Sequence, residues 1–299
     1  MSLIDFKKPA SSFEEQVALL KQRGLTVTDD AEAADLLERM SYYRLSAYWH
    51  PFKRSDDTFD PAGSLNEAIR LYEFDRRLRL LVLDAIERFE VHLRTLIAYE
   101  IAHRGGPFAH EDPAAFQPNF GHQQWVADLH KEASRANEKF TDHYKSKYRD
   151  FPVLPIWMAT EVMSIGCLSM LYRGIRPPVR QAVAVRFGVH DNVLESWAHV
   201  LTIVRNICAH HGRLWNRQLG IKPRMPYEPK WVAIEEKSRG RLFGVLLILR
   251  EVTSHHDAAA PRWAADVERL IDEMVDSPRW MGSMGIPKAW RTHPVWKQE

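Results

Sequence analysis

Arg205, Asn206 and His210 stand in the stretch Arg-Asn-Ile-Cys-Ala-His-His-Gly-Arg-Leu-Trp-Asn-Arg that runs from position 205 to 217. Turned at about 100° per residue on a helix, Val200, Ile203, Val204, Ile207 and Cys208 share one broad face that reads as core. Arg205, Asn206 and His210 project from the other side, Asn206 and His210 one turn apart, while His211 falls back toward the buried face. A cation, an amide and an imidazole so placed suit metal-free cleavage of RNA. The imidazole moves a proton to or from the 2′-hydroxyl or the leaving oxygen near neutral pH. The guanidinium binds the phosphate and stabilises its developing charge, and Asn206 orients one of the two. One imidazole is one proton-transfer group, and in-line displacement gains from a base on one side and an acid on the other. A second copy across a two-fold axis would supply it, so the catalytic reading expects a homodimer. Spacing alone gives the stronger claim to a plainer reading, a solvated polar helix face capped by Gly212.

The elements that must position these residues read as helices. Ser12 with Glu14 and Glu15 is an N-cap followed by an acidic first turn, and Gly24 stops the helix. Ala31–Met40 and Tyr42–Trp49 follow. Residues 65–103 carry apolar side chains at three- and four-residue spacings with no internal proline or glycine, which predicts one long helix or two nearly collinear ones. Residues 104–154 read as an insertion or long connection with one helix near Gln123–Ala136. Helices resume over 155–220, with Pro155–Arg173, Val179–Phe187 and Asp191–Ala209 as their spans, and 221–299 adds helices near Lys237–Ser254 and Ala258–Asp276. The last twenty residues, with Trp280, Trp290 and Trp296, form an irregular strap. Few segments alternate as strands do. The class is therefore all-α, a multi-helix bundle taken as a single domain over residues 1–299 with 8–103 as its N-terminal helical part, although 299 residues also leave room for two closely packed ones.

Charge gives no global pull toward a polyanion, with 41 Lys and Arg against 39 Asp and Glu, so a nucleic-acid site must be local. Arg173, Arg176, Arg180 and Arg186 form the densest run of one sign, by default a solvated face and otherwise the first place to look for an RNA groove. Arg213 and Arg217 are secondary phosphate candidates. Arg44, among Tyr42, Tyr43, Tyr48 and Trp49, could meet phosphate beside stacked bases, although most of those aromatics read as core. The two cysteines, Cys167 and Cys208, give neither a disulfide framework nor metal-finger spacing, so no metal or cofactor is expected. The N-terminus lacks an apolar signal core, and the longest strongly apolar run, Leu242–Leu249, is far short of the ~20 residues that span a bilayer. A cytoplasmic protein without a membrane partner is the expectation.

Four blocks carry a resemblance across most of the chain: Tyr42–Trp49; Leu71–Arg79 with Ile86–Thr95; Leu154–Gly166; and Val204–Arg217. On them the sequence resembles the Abi-like abortive-infection proteins of the AbiD/AbiF type, which are grouped with the HEPN superfamily of ribonucleases. The resemblance implies a HEPN-like helical fold, a role in phage defence and an Arg-x4–6-His signature, which Arg205, Asn206 and His210 match at its shortest spacing. It also implies metal-independent endoribonuclease action by paired units. This chain supplies one such unit, because Arg94 and His103 stand too far apart to make a second. Glu90 and Arg94 read as an i,i+4 ion pair, with a role in positioning Arg205 as the lesser alternative. The implied partners are substrate RNA, a second copy of the chain, and a regulatory small RNA or an antitoxin. The other reading is a non-catalytic RNA- or protein-binding module of a defence or toxin–antitoxin system.

Overall fold

The computed structural model describes residue 5 and residues 9–254, 257–274 and 276–297. The start of the resemblance at residue 8 and the last two residues of the strap lie outside these. The chain is all-α: among the described residues the only extended pairings are three isolated bridges, Thr26 with Ser64, Lys53 with Phe59 and Phe116 with Ile175. Two compact units divide at Arg77 and Leu78.

In the first unit, α1 (Phe13–Gln22) begins at a capping box, in which Ser12 Oγ accepts from Glu15 N at 3.2 Å and Ser12 N donates to Glu15 Oε2 at 2.8 Å. Helix α2 (Asp30–Met40) is capped by Asp29, and α3 (Tyr42–Trp49) follows after one residue. That residue, Ser41, has φ 58° and serves both helices, its N–H closing α2 on Leu37 O and its hydroxyl accepting from Arg44 N. Leu45, Tyr48 and Trp49 point into the core as expected, and the Tyr48 hydroxyl donates to the buried Asp75 carboxylate at 2.8 Å. Tyr43 is the exception at 89% exposure, and Arg44 beside it is also exposed. The periodic segment forms a single helix, α4 (Leu65–Gly105), which Ser64 caps through Glu67 N and which runs on into the second unit.

The second unit continues through α5 (His122–Arg135), α6 (Lys139–Lys147), α7 (Ile156–Val162), α8 (Ile165–Gly174), α9 (Pro177–Arg186) and α10 (Asp191–Ala209). The helix expected over Pro155–Arg173 is two. Ser164 takes extended backbone angles, accepts from Cys167 N to start α8, and gives both its N–H and its hydroxyl to the Glu132 carboxylate of α5 at 2.8 Å. A side chain distant in sequence thus stabilises the break. Arg94 closes the same corner. It pairs with Glu90 as expected, and two more of its N–H groups go to the carbonyls of Thr160 and Met163 at the end of α7. Arg94 is thus an anchor for the end of α7.

After α10 come α11 (Pro229–Val232), α12 (Glu236–Arg239), α13 (Leu242–Ser254), α14 (Ala260–Asp272), α15 (Pro278–Met284) and α16 (Pro294–Lys297). Helix α13 is buried from Leu242 to Thr253, which makes it the central rod of the C-terminal part. Trp280, Trp290 and Trp296 are buried, so the strap docks as its tryptophans predict, although it folds into short helical turns. No helix of the described residues is long and apolar enough to cross a membrane.

The connection between α4 and α7 holds a buried imidazole. His110 is fully buried, and desolvation, reinforced by the neighbouring His130 and His122, pushes it down to about 4. Because the folded value lies below the unfolded ~6.5, the unfolded chain takes up the proton first as pH falls. The stability this neutral histidine contributes is full above pH ~6.5 and is lost as pH falls toward 4, by up to about 3 kcal/mol. Urea midpoints at neutral and mildly acidic pH should therefore fall more for the native chain than for His110→Gln. Equal falls would show that His110 is not a source of acid sensitivity.

Candidate functional site

The core side of α10 is set by Val193, Leu194, Trp197, Ala198, Val200, Leu201, Val204 and Cys208, all buried. Ile203 and Ile207 lie at the margin, half-buried. The opposite side bears Arg205, Asn206 and His210, all exposed, and Arg205 Nη1 donates to Asn206 Oδ1 at 3.3 Å. The amide therefore lies beside the guanidinium and turns one of its donors, while the other N–H groups of the fork keep their planar array for an anion.

The helix ends at Ala209, as its expected span has it, but the residue in the left-handed position is not Gly212. His210 is the cap residue, and His211 adopts φ 56° in the left-handed region. His211 N donates to Cys208 O at 3.0 Å and Gly212 N to Ile207 O at 2.7 Å, the paired closure of a Schellman motif. In this motif the left-handed position directly follows the cap, and histidine tolerates it better than bulkier or branched residues do. Gly212 packs closely here: a Cβ would lie 3.1 Å from Ile207 O, tighter than an ordinary contact. His211 does not fall back toward the core as helical arithmetic predicts but is exposed, because the reversal of φ swings it outward. Two adjacent imidazoles thus lie at the solvent-facing end of α10, whereas Cys208 faces inward, so the three do not converge as a ligand set.

The loop beyond the cap is clamped from below. Arg79 of α4, only 4% exposed, donates to Gly212 O at 3.4 Å. Leu214 and Trp215 are buried, and the Trp215 ring meets Trp280 edge to face with centroids 5.3 Å apart. Arg217 turns back to donate to Arg213 O at 3.0 Å and stays exposed, while Arg213 is half-buried. Arg79 was missed from sequence. Its signal is a cation at a buried phase of α4, between the core residues Asp75, Leu78 and Val82, where an arginine is expected only if it has a partner.

The arginine run is not one patch. Arg180 is buried, with Nη2 2.7 Å from Glu195 and 3.2 Å from Asp191 and its guanidinium over the Tyr172 ring. That places it in the packing between α9 and α10, out of reach of a phosphate, because its charge is already matched and desolvated. Burial likewise pushes the Tyr172 hydroxyl well above its ordinary range. Arg173 and Arg186 are exposed, and Arg176 is exposed but fixed by its Nε on Ala114 O at 2.6 Å. Arg44 lies on α3 in the first unit and is exposed.

The family model for Abi-like protein matches residues 35–216, more than half of the chain. The chain belongs to the Abi-like family. No curated protein and no solved structure matches it. In this Abi-like protein the matched stretch contains Arg79, Arg205, Asn206, His210 and the clamped loop, and it closes at Asn216, directly after Trp215. Helix α1 and the tail from Arg217 onward lie outside the match, although Trp280 of that tail braces the loop.

Proposed function

We propose that this Abi-like protein acts in abortive infection, the phage-defence response, as a metal-independent endoribonuclease of the HEPN type and of the AbiD/AbiF group. The observation that carries the reading is the exposed Arg205–Asn206–His210 face at the end of α10, on a backbone clamped by Arg79 and Trp215. In the reaction, the 2′-oxygen of RNA attacks the adjacent phosphorus and the bond to the 5′-oxygen breaks, which leaves a 2′,3′-cyclic phosphate and a 5′-hydroxyl. An imidazole takes the 2′-hydroxyl proton and an acid returns one to the leaving oxygen. Arg205 binds the phosphate and offsets its developing charge, oriented by Asn206. His210 of one chain fills one proton-transfer role, and His210 of a second copy fills the other, so the working unit is a homodimer in the cytoplasm.

The test is incubation of the purified protein with end-labelled RNA in EDTA. Cutting by the native chain, lost in Arg205→Ala and in His210→Ala, is the expected result. An inactive native chain, or variants that cut equally well, would overturn the assignment. Retained RNA binding without cutting would favour a non-catalytic binding module of a defence or toxin–antitoxin system.

A further inference from the structure

Helices α8 and α10 pack antiparallel. Near one end a Cβ built at Gly166 would lie 4.0 Å from Thr202 Cγ2, and at the other Arg173 Nε lies 3.7 Å from Glu195 Oε1. Along α10 the side chains of Glu195, His199, Thr202, Asn206 and His210 fall within about 80° of one another at 100° per residue. None of these five is buried. They make a polar stripe that runs about 22 Å, at ~1.5 Å per residue, from Glu195 to His210. Beside it α8 exposes Met170 and Arg173.

At the Glu195 end the stripe opens into a pocket of ≈ 310 Å³ lined by Gln117, Asn119, Phe120, Met170, Arg173 and Glu195, with Arg180 behind. Glu195 is fixed from within, its Oε2 accepting from Arg180 Nη2 at 2.7 Å, while Oε1 meets Arg173 only at 3.7 Å and keeps acceptor capacity. Gln117 gives its amide hydrogens to the carbonyls of Arg173 and Ile175. Phe120 stacks on Phe116 at 5.1 Å with the planes 8° apart and packs closely on Gly174, so the wall it forms is rigid. The charges of Arg173 and Arg180 are balanced by Glu195 and Asp191, so the pocket does not select a bare phosphate. It fits a flat neutral group with hydrogen-bond donors and acceptors on one edge.

We propose that this pocket holds a guanine base of single-stranded RNA, and that the stripe leads the strand from it to Arg205 and His210; the proposal rests on the ribonuclease reading. Guanine alone of the four bases carries two adjacent N–H donors that one carboxylate can accept, next to an O6 and N7 pair that suits an arginine fork. Glu195 takes the donors, Arg173 the acceptors, and Phe120 and Met170 supply the apolar wall. Arg180 is a positioning residue that acts through Glu195.

The probes are short fluorescent 2′-O-methyl oligoadenylates, which cannot be cut by 2′-oxygen attack, with a single guanine walked along them and binding read by anisotropy. One guanine position, a few nucleotides from the site of cleavage in the unmodified RNA, should tighten binding about tenfold or more. Glu195→Gln and the exposed Arg173→Ala should each remove that gain, read as the ratio of guanine-containing to all-adenine affinity within each variant, and leave folding, read by circular dichroism, near native; Arg173→Ala disturbs no buried pair, so it decides the matter if Glu195→Gln fails to fold. The absence of a guanine preference at every position, or its survival in Arg173→Ala, would overturn the pocket. Base-indifferent cutting would sink the pocket and leave the ribonuclease reading standing, whereas guanine-selective binding without cutting would do the reverse.

Discussion

His210→Ala should cut RNA ~10²–10⁴-fold more slowly than the native chain, the range that a positioned proton-transfer group contributes. Arg205→Ala should lose ~10²–10³-fold, as removal of a donor aimed at developing charge does elsewhere. The two losses should not multiply in the double variant, because base and phosphate ligand act as a unit. Initial rates in EDTA, with circular dichroism to check the fold, measure all three. Both side chains are exposed, so neither variant should unfold the protein. A native rate in His210→Ala would remove the imidazole from the mechanism. A loss in Asn206→Ala as large as in Arg205→Ala would move the phosphate-binding role toward the amide.

Trp215→Ala should destabilise the protein by about 3–5 kcal/mol, the usual cost of truncating a buried aromatic side chain. Trp215 is fully buried and braced by Trp280, and it follows the cap by a few residues. The cavity left behind would therefore loosen the loop whose carbonyl at Gly212 accepts from Arg79. Trp215→Phe, which refills most of the space, should recover much of the loss. Urea denaturation midpoints give the stability, and cleavage by the folded fraction gives the activity. If Trp215→Ala proves as stable as the native chain, the loop is not held from below, and the account of how the site is kept in place fails with it. Arg79→Met adds an independent check, since it keeps the stem and removes the hydrogen bond to Gly212.

Periodicity and caps made most of the helices legible in the sequence. The apolar spacing over 65–103 needed no tertiary help to become α4, and Ser12 marked a helix start by local hydrogen bonds alone. The same arithmetic placed Arg205, Asn206 and His210 on the outer face of α10, because a 100° step acts within one helix and depends on nothing distant. The break at Ser164 was not legible, since the carboxylate that holds it belongs to Glu132, more than thirty residues earlier. Nor was the inward turn of Arg180 in a run of arginines that spacing could only treat as one face; its partners Asp191 and Glu195 come from the next helix. The part played by Arg79 went unread for the same reason, because a clamp exists only when two distant segments meet. The sequence by itself determined that the chain is helical and which residues share the outer side of α10, since both follow from short-range geometry. Only the tertiary structure decided where α7 gives way to α8 and which arginines of the run turn inward, because long-range hydrogen bonds and burial set those and neither is local.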